Sequence, residues 1–473
     1  MAKNNDTIES SEYFEKRSLK GGAVGWVLLV GLGVAYTISG DFSGWNYGMA
    51  NGGWLGLAIG WLVMCIMYLC TVFGLAELSS AIPTAGAGYG FARSAMGRTG
   101  GFATGLALVI EYICAPAAIS TFIANYVASL GIFPGVPNIV FVIAAYIIFV
   151  GLHIVGVGEA LKVMFVITAI ALVALIVFVV GVAPSFNPAN LFDMPATDAF
   201  GASEFLPLGF AGVIACLPYG IWFFLGVEGV PLAAEESANP KRDMPRGLIG
   251  AITILSCTGF LVLLLCAGVS GAAATGVSDT PLIDALADAG NGQLSVFLNW
   301  AGLAGLIASF FSLMYAGSRQ VFALSRAGYL PSFLALTGKR KTPVAALIIS
   351  AIIGIAIVLV MHDGDLILNV AVFGACVSYA LMNLSHIILR KKNPEMKRGY
   401  RTPGGVVTTG IAFVLSCIAI VSTFFVDMVA ASCVLGVYIV GLIYFAVYAK
   451  KHLVANAPEE EFAALNAAEA ELR

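Results

Sequence analysis

The sequence predicts an all-α membrane protein with twelve transmembrane helices. Composition, the spacing of apolar runs and the placement of charge each lead there. Of 473 residues, 59% are hydrophobic and 11% are charged, whereas soluble domains average about 25% charged residues. Apolar runs of spanning length lie near 23–50, 54–80, 101–131, 137–155, 160–183, 207–234, 247–274, 293–324, 343–361, 365–389, 406–426 and 430–449. With the amino terminus cytoplasmic, all 24 Lys and Arg residues fall in or beside segments on the cytoplasmic side. The opposite loops carry Asp193, Asp198, Glu204, Asp279, Asp284, Asp288, Asp363, Asp365 and Asp427. An eleven- or thirteen-helix arrangement would put one terminus outside and break this positive-inside pattern.

In chain order, residues 1–22 form a polar cytoplasmic tail with both charge signs and no apolar core before a cleavage site, so no signal peptide is expected. Residues 23–183 hold spans one to five, with Pro134-Gly135-Val136-Pro137 parting spans three and four. Residues 207–389 hold spans six to ten. Asn239-Pro240-Lys241-Arg242 and Gly338-Lys339-Arg340-Lys341 punctuate them, and Arg390-Lys391-Lys392-Asn393-Pro394 closes the last. Residues 406–449 supply two further helices. The tail at 450–473 has, around Glu459-Glu460-Glu461, the alanine and acid content of a short cytoplasmic helix or of a disordered end.

Two spans are interrupted. The first breaks at Ser39-Gly40-Asp41-Phe42-Ser43-Gly44 and the sixth at Phe224-Leu225-Gly226-Val227-Glu228-Gly229. Each break pairs glycines with one acid, and each opens a five-span unit. An odd repeat length inserts the second unit upside down. The fold is therefore expected to be a 5+5 inverted repeat with broken helices 1 and 6, plus two C-terminal helices, and with a solute site between the breaks.

Asp41 is the leading candidate within that site. An ionisable group at bilayer depth costs several kcal/mol and is retained for a pathway or a ligand. Its plainer role is to cap the half-helix that follows. Glu111, mid-span with Pro116 five residues on, contacts substrate, relays a proton or pairs with a buried polar group such as Tyr112 or Asn125. Trp222, Phe223 and Phe224 precede the second break, where aromatic faces hold an ammonium or close a gate. Tyr315 and Tyr379 are weaker candidates. The nine cysteines all lie in apolar segments without a CxxC pair and read as small apolar residues. His153, His362, His386 and His452 have no ligand spacing. No metal site, cofactor or enzymatic nucleophile–base pair is expected, and at a net charge of −3 without an aromatic-interleaved basic patch, no nucleic-acid partner.

Two stretches carry a known pattern. Ala76-Glu77-Leu78-Ser79-Ser80-Ala81-Ile82-Pro83-Thr84-Ala85-Gly86-Ala87-Gly88-Tyr89 follows span two. Gly226-Val227-Glu228 precedes Ala234-Glu235-Glu236-Ser237-Ala238-Asn239-Pro240-Lys241-Arg242-Asp243-Met244-Pro245-Arg246. Both resemble the amino acid–polyamine–organocation (APC) transporter superfamily over nearly the whole chain. Tyr36 to Asn46, Glu111 to Ala118 and Trp222 to Ala233 are most similar to bacterial ethanolamine permeases. The resemblance implies alternating access around a site formed by Ser39, Gly40, Asp41 and Phe42 with the carbonyls of Phe224, Leu225 and Gly226. It gives Glu228 a structural, gating or coupling role, and Glu77 a structural one.

Two departures shape the expected function. Amino acid carriers of the superfamily tend to read Gly-Ser-Gly-Ile-Phe in span one, where free amides take the substrate carboxylate. Here Ile38-Ser39-Gly40-Asp41-Phe42 puts an acid at the aliphatic position, which repels a carboxylate and attracts an ammonium. Some relatives also carry a coupling lysine in span five where this chain has Ala171; the nearest lysine is Lys162. Ser309 and Ser312 share a face of span eight and are weak Na⁺ candidates; a proton through Asp41, Glu111 or Glu228 is the other coupling candidate, beside plain facilitated uptake or exchange. The expected protein is a permease importing ethanolamine or a similar small amine across the bacterial inner membrane. The alternative is an amino acid or polyamine permease of the same superfamily. A membrane sensor on the same fold is disfavoured, since no appended soluble domain is seen.

Overall fold

The computed structural model describes residues 24–82, 86–155, 157–337 and 342–453. Among them there are fifteen α-helices and no sheet. The first broken span is α1 (Trp26–Thr37) followed by the single turn α2 (Ser39–Phe42), and span two is α3 (Tyr47–Ala81). Then come α4 (Gly88–Ser129), α5 (Asn138–Val155), α6 (Val157–Val182), α7 (Gly209–Trp222) and α8 (Pro240–Ser270). Two short outer helices, α9 (Ala272–Val277) and α10 (Pro281–Asp288), precede α11 (Gly292–Arg326), α12 (Val344–Met361), α13 (Gly364–Lys392), α14 (Val406–Val426) and α15 (Met428–Val447). Eleven segments are long and apolar enough to cross a membrane, and the shorter Trp26–Thr37 completes the expected twelve.

The expected boundaries shift where backbone chemistry favours it. The outer end of span one is a stub beginning at Tyr47 that runs into span two through Gly53, whose φ of 70° makes the corner. Helix α8 begins at Pro240, ahead of its apolar run, because proline lacks an N–H that the first helical turn would leave unpaired. The acid-bearing loop after α8 winds into α9 and α10. The expected short helix around Glu459 lies outside the described residues.

Packing reproduces the inverted repeat. Span one packs on span seven (α1 on α8), and its counterpart span six packs on span two (α7 on α3). Span three packs on span ten (α4 on α13), and its counterpart span eight packs on span five (α11 on α6). Exchanging each span with the one five places on leaves this pattern unchanged. Helix α14 closes the bundle against α13 and α3. The outer faces of α5, α6 and α15 are apolar yet exposed, as at Ile147, Val180 and Val440, which suits a lipid surface.

One face of the bundle gathers the basic residues. There Glu77, fully buried at the end of α3, accepts from Arg390 (Nε 2.7 Å, Nη2 2.6 Å), from the Thr402 amide (2.7 Å) and from Arg398 (2.8 Å), with His386 Nε2 at 3.2 Å. The carboxylate thereby ties α3 to the end of α13 and to the loop after it. Removing one partner of such a buried cluster strands the remaining charges, at a cost of about 3–5 kcal/mol. Glu77→Ala is expected to lower the apparent Tm in detergent by several degrees, whereas Thr253→Ala on the exposed side of α8 leaves it unchanged; thermal unfolding of the two variants checks this.

Candidate functional site

The first break is held open by side chains that satisfy its freed backbone. The Ser39 amide donates to Ser309 Oγ (2.9 Å), and that hydroxyl donates to the Ala35 carbonyl (2.7 Å). Tyr126 donates to the Phe42 carbonyl (2.9 Å), and the Trp222 indole N–H donates to the Ser43 carbonyl (2.9 Å). Asn46 receives the Gly44 amide and donates to the carbonyls of Thr275 and Ser278. Irregular backbone at membrane depth persists only with such partners.

The second break lies at Phe223–Gly226, between the end of α7 and a 3₁₀ segment (Val227–Glu236), and turns at Gly226 with φ 101°. The two breaks abut. A Cβ on Gly40 would sit 2.5 Å from the Trp222 carbonyl oxygen, so only glycine admits this approach.

Asp41 is fully buried, and neither carboxylate oxygen has a hydrogen-bond partner. It does not cap a following helix; it belongs to the α2 turn itself and accepts no backbone amide. Its polar neighbour is Thr258, but that hydroxyl turns back to the Ile254 and Leu255 carbonyls of its own helix. Asp41 faces Gly259 of α8. A Cβ there would lie 3.4 Å from Asp41 Oδ1, 3.2 Å from Trp61 Nε1 and 3.0 Å from Phe223 Cδ1. The Trp61 N–H is likewise buried without a partner. Rings complete the surroundings: Phe223 meets Trp45 at 5.3 Å between centroids, and Phe224 meets Trp61 at 6.0 Å. An unpaired carboxylate walled by aromatic rings has the chemistry of a cation site.

Glu111 and Glu228 are elsewhere, brought side by side from α4 and from the start of the 3₁₀ segment. Tyr112 donates to Glu228 Oε1 (2.9 Å). Tyr379 lies 2.9 Å from Glu228 Oε2 and 3.2 Å from Glu111 Oε1, and receives a hydrogen bond from Tyr68 (2.9 Å). Ser378 reaches Glu111 Oε2 at 3.5 Å. Among the described residues the two glutamates are served by the hydroxyls of Tyr112, Tyr379 and Ser378, and the two carboxyl groups also reach one another. Of the partners expected for Glu111, Tyr112 turns to Glu228, and Asn125 lies on the acidic face against Asp279. Phe224 stands between the two acidic places, its ring 5.2 Å from Tyr68 on one side and 6.0 Å from Trp61 on the other.

The sequence-predicted residues therefore divide. Ser39, Gly40, Asp41 and Phe42 meet Trp222, Phe223 and Phe224 at the abutting breaks, with Leu225 and Gly226 forming the second turn. Glu111 and Glu228 join Tyr379 in a separate network. Ser309 is engaged by span-one backbone, and Ser312 Oγ is buried without a partner. Tyr315 lies beneath the Arg319 guanidinium, 3.3 Å from its ring centroid. Trp61, Thr258 and Gly259 escaped sequence reading, because nothing sets one Trp, Thr or Gly of a membrane span apart until the helices are packed. On the acidic face, an opening of about 420 Å³ is lined by Tyr47, Phe122, Asn125, Asp279 and Asp363. Phe122 meets Trp222 edge-on at its floor, 6.1 Å between centroids.

Comparison with known proteins agrees with this architecture. Residues 25–459 match the family model of amino acid permeases. An uncharacterised transporter of Rhizobium meliloti is 30% identical, the match covering 88% of this chain and 89% of that protein. A branched-chain amino acid permease of Bacillus subtilis is 27% identical over 85% and 87% of the two chains. A methylthioribose transporter of the same organism is 26% identical over 86% and 88%. A bundle of twelve spans whose two broken helices abut, matched over residues 25–459 by the amino acid permease model, belongs to the amino acid permease family of the APC superfamily.

Proposed function

We propose that this permease imports a small organic amine without a carboxylate, ethanolamine in the first place, across the bacterial inner membrane by alternating access. The single observation behind this is Asp41, a buried carboxylate without a partner. A substrate ammonium placed against Gly259 would supply the missing hydrogen bonds, with the rings of Trp61, Phe223 and Phe224 as its cation–π wall. A zwitterion would bring a second negative group toward the same carboxylate. The acidic outer opening suits a cationic solute, whose local concentration it raises. The basic face is cytoplasmic on the positive-inside rule, as are both termini.

The alternative is an amino acid or polyamine permease, favoured by the branched-chain amino acid permease among the relatives. Substrate competition separates the readings. Ethanolamine is expected to displace radiolabelled ethanolamine from the purified protein, and glycine or serine to fail at the same concentration. Asp41→Asn keeps the volume and removes the charge. Loss of a charge-assisted hydrogen bond worth about 1.5–3 kcal/mol weakens ethanolamine binding roughly ten- to a hundredfold. Unchanged affinity in that variant, or stronger competition by glycine, would sink the amine reading.

The coupling ion we assign to the Glu111–Glu228 pair is a proton. Two carboxyl groups meet at one tyrosine hydroxyl in a dry core, an arrangement suited to sharing a proton. Sodium at Ser309 and Ser312 is the weaker assignment, since Ser309 already bridges span-one backbone. In proteoliposomes an imposed proton gradient is expected to drive accumulation, and a sodium gradient is not. Glu111→Gln and Glu228→Gln should each abolish gradient-driven accumulation while retaining exchange of internal for external substrate. Gradient-driven accumulation surviving in both variants would remove the pair from coupling.

A further inference from the structure

The basic face carries a second feature that neither the breaks nor the glutamate pair uses. A groove of about 840 Å³ opens between the first turns of α1 and α8, lined by Trp26, Asn239, Lys241, Arg242, Pro245, Arg246, Ile249 and the loop residues Gly399 and Tyr400. Lys241, Arg242 and Arg246 are exposed, and no acidic side chain lines the groove. None of the three makes an ion pair or side-chain hydrogen bond among the described residues. Other cations of this face are committed: Arg390 and Arg398 to Glu77, and Arg93 and Arg326 over the rings of Tyr329 and Phe322. The polar wall of the groove is rigidly held. The Tyr400 amide donates to Ser80 Oγ (3.1 Å), and Gly399 packs so closely that a Cβ would lie 2.5 Å from the Lys241 carbonyl.

The other end of the groove is apolar. Trp26, the first residue of α1, is 44% exposed and Val27 48%. Ile249 continues this surface one turn inward from Arg246 on α8. A tryptophan at a helix end marks the membrane–water interface, and clustered cations beside it match an anionic headgroup. Cationic at the water side and apolar toward the bilayer, the groove is complementary to both ends of a lipid, whereas a free phosphate uses only one.

We propose that this groove binds the headgroup of an anionic phospholipid. Lys241, Arg242 and Arg246 take the phosphate, Asn239 and the Tyr400 hydroxyl the remaining headgroup oxygens, and Trp26, Val27 and Ile249 the first acyl carbons. A lipid seated there bridges α1 to α8, adding to a seam otherwise packed through Gly247 against Leu29 and Gly250 against Val30.

The test is thermal unfolding of the full chain in nanodiscs of phosphatidylcholine with and without phosphatidylglycerol, with glycerol phosphate in solution as the free-anion control. Phosphatidylglycerol is expected to raise the apparent Tm by roughly 2–4 °C, and glycerol phosphate to leave it unchanged. The triple variant Lys241→Gln, Arg242→Gln, Arg246→Gln should lose the phosphatidylglycerol increment while melting with wild type in phosphatidylcholine. Should the triple variant fail to fold, Arg246→Gln and Trp26→Ala are each expected to reduce the copies of phosphatidylglycerol retained in native mass spectrometry. A full increment in the triple variant, full lipid retention in both single variants, or an equal shift from glycerol phosphate overturns the proposal. An increment that appears only after deletion of residues 1–22 would assign the groove to that tail and overturn it too.

Discussion

The fold depends on one constraint: backbone groups released at membrane depth have no water to turn to. Interrupting a helix near Asp41 frees amides and carbonyls, each costing several kcal/mol if left bare in hydrocarbon. The protein answers with side chains from distant spans. Ser309 reaches in from α11, Tyr126 from α4 and Trp222 from the other repeat, while Asn46 fastens the outer end to the α9–α10 turn. These bonds fix where the breaks lie relative to one another. Once Gly40 has been pressed against the Trp222 carbonyl, the positions of Asp41 and the following phenylalanines are no longer free variables. The interior site is a by-product of satisfying the backbone.

Within that frame, Phe224 partitions the interior. On one side its ring meets Trp61, next to Asp41; on the other it meets Tyr68, the outermost hydroxyl of the glutamate network. A single side chain at the second break thus touches the walls of both acidic places. Glu228 follows Phe224 by four residues, across the turn at Gly226. On the proposed function, this short stretch links the amine site to the proton site without a chain of intermediates. On that proposal, a substrate ammonium at Asp41 and a proton at the glutamates do not compete for the same oxygen.

Much of this was legible in the sequence, and what was not has a physical reason. Twelve apolar runs, charge asymmetry and two glycine-interrupted spans are local properties, and the helices, the 5+5 architecture and both breaks follow from them. Asp41 was legible because an intramembrane charge is costly wherever it points. The partners of Glu111 were not. Its hydrogen bonds come from Ser378 and Tyr379 on α13, more than 260 residues away, and spacing along one helix carries no information on such a contact. The cap weighed as Asp41's plainer role does not form, because the chain after Phe42 turns extended at Ser43 and does not start the half-helix until Tyr47. Trp61 and Gly259 acquire meaning only by facing Asp41, and a helix-packing register is not encoded in either residue's neighbours.

Comparing the buried acids shows why partner chemistry, rather than burial, separates structural from functional carboxylates here. Glu77 and Asp41 are equally buried. Glu77 is saturated: two guanidiniums, an imidazole and a backbone amide converge on it, and nothing is left for a ligand to satisfy. Asp41 has both oxygens bare, beside Gly259 and an indole N–H equally bare. A bare buried carboxylate is unstable relative to any state that brings it a cation, so the bundle is poised to gain free energy from a diffusing ammonium in a way that Glu77 cannot. The same comparison underlies the proposed selectivity. A carboxylate-bearing substrate would need bare amides at the first break, and the Ser39 amide is already spent on Ser309. What the break offers an incoming molecule is negative charge and aromatic surface, and a small amine can use both.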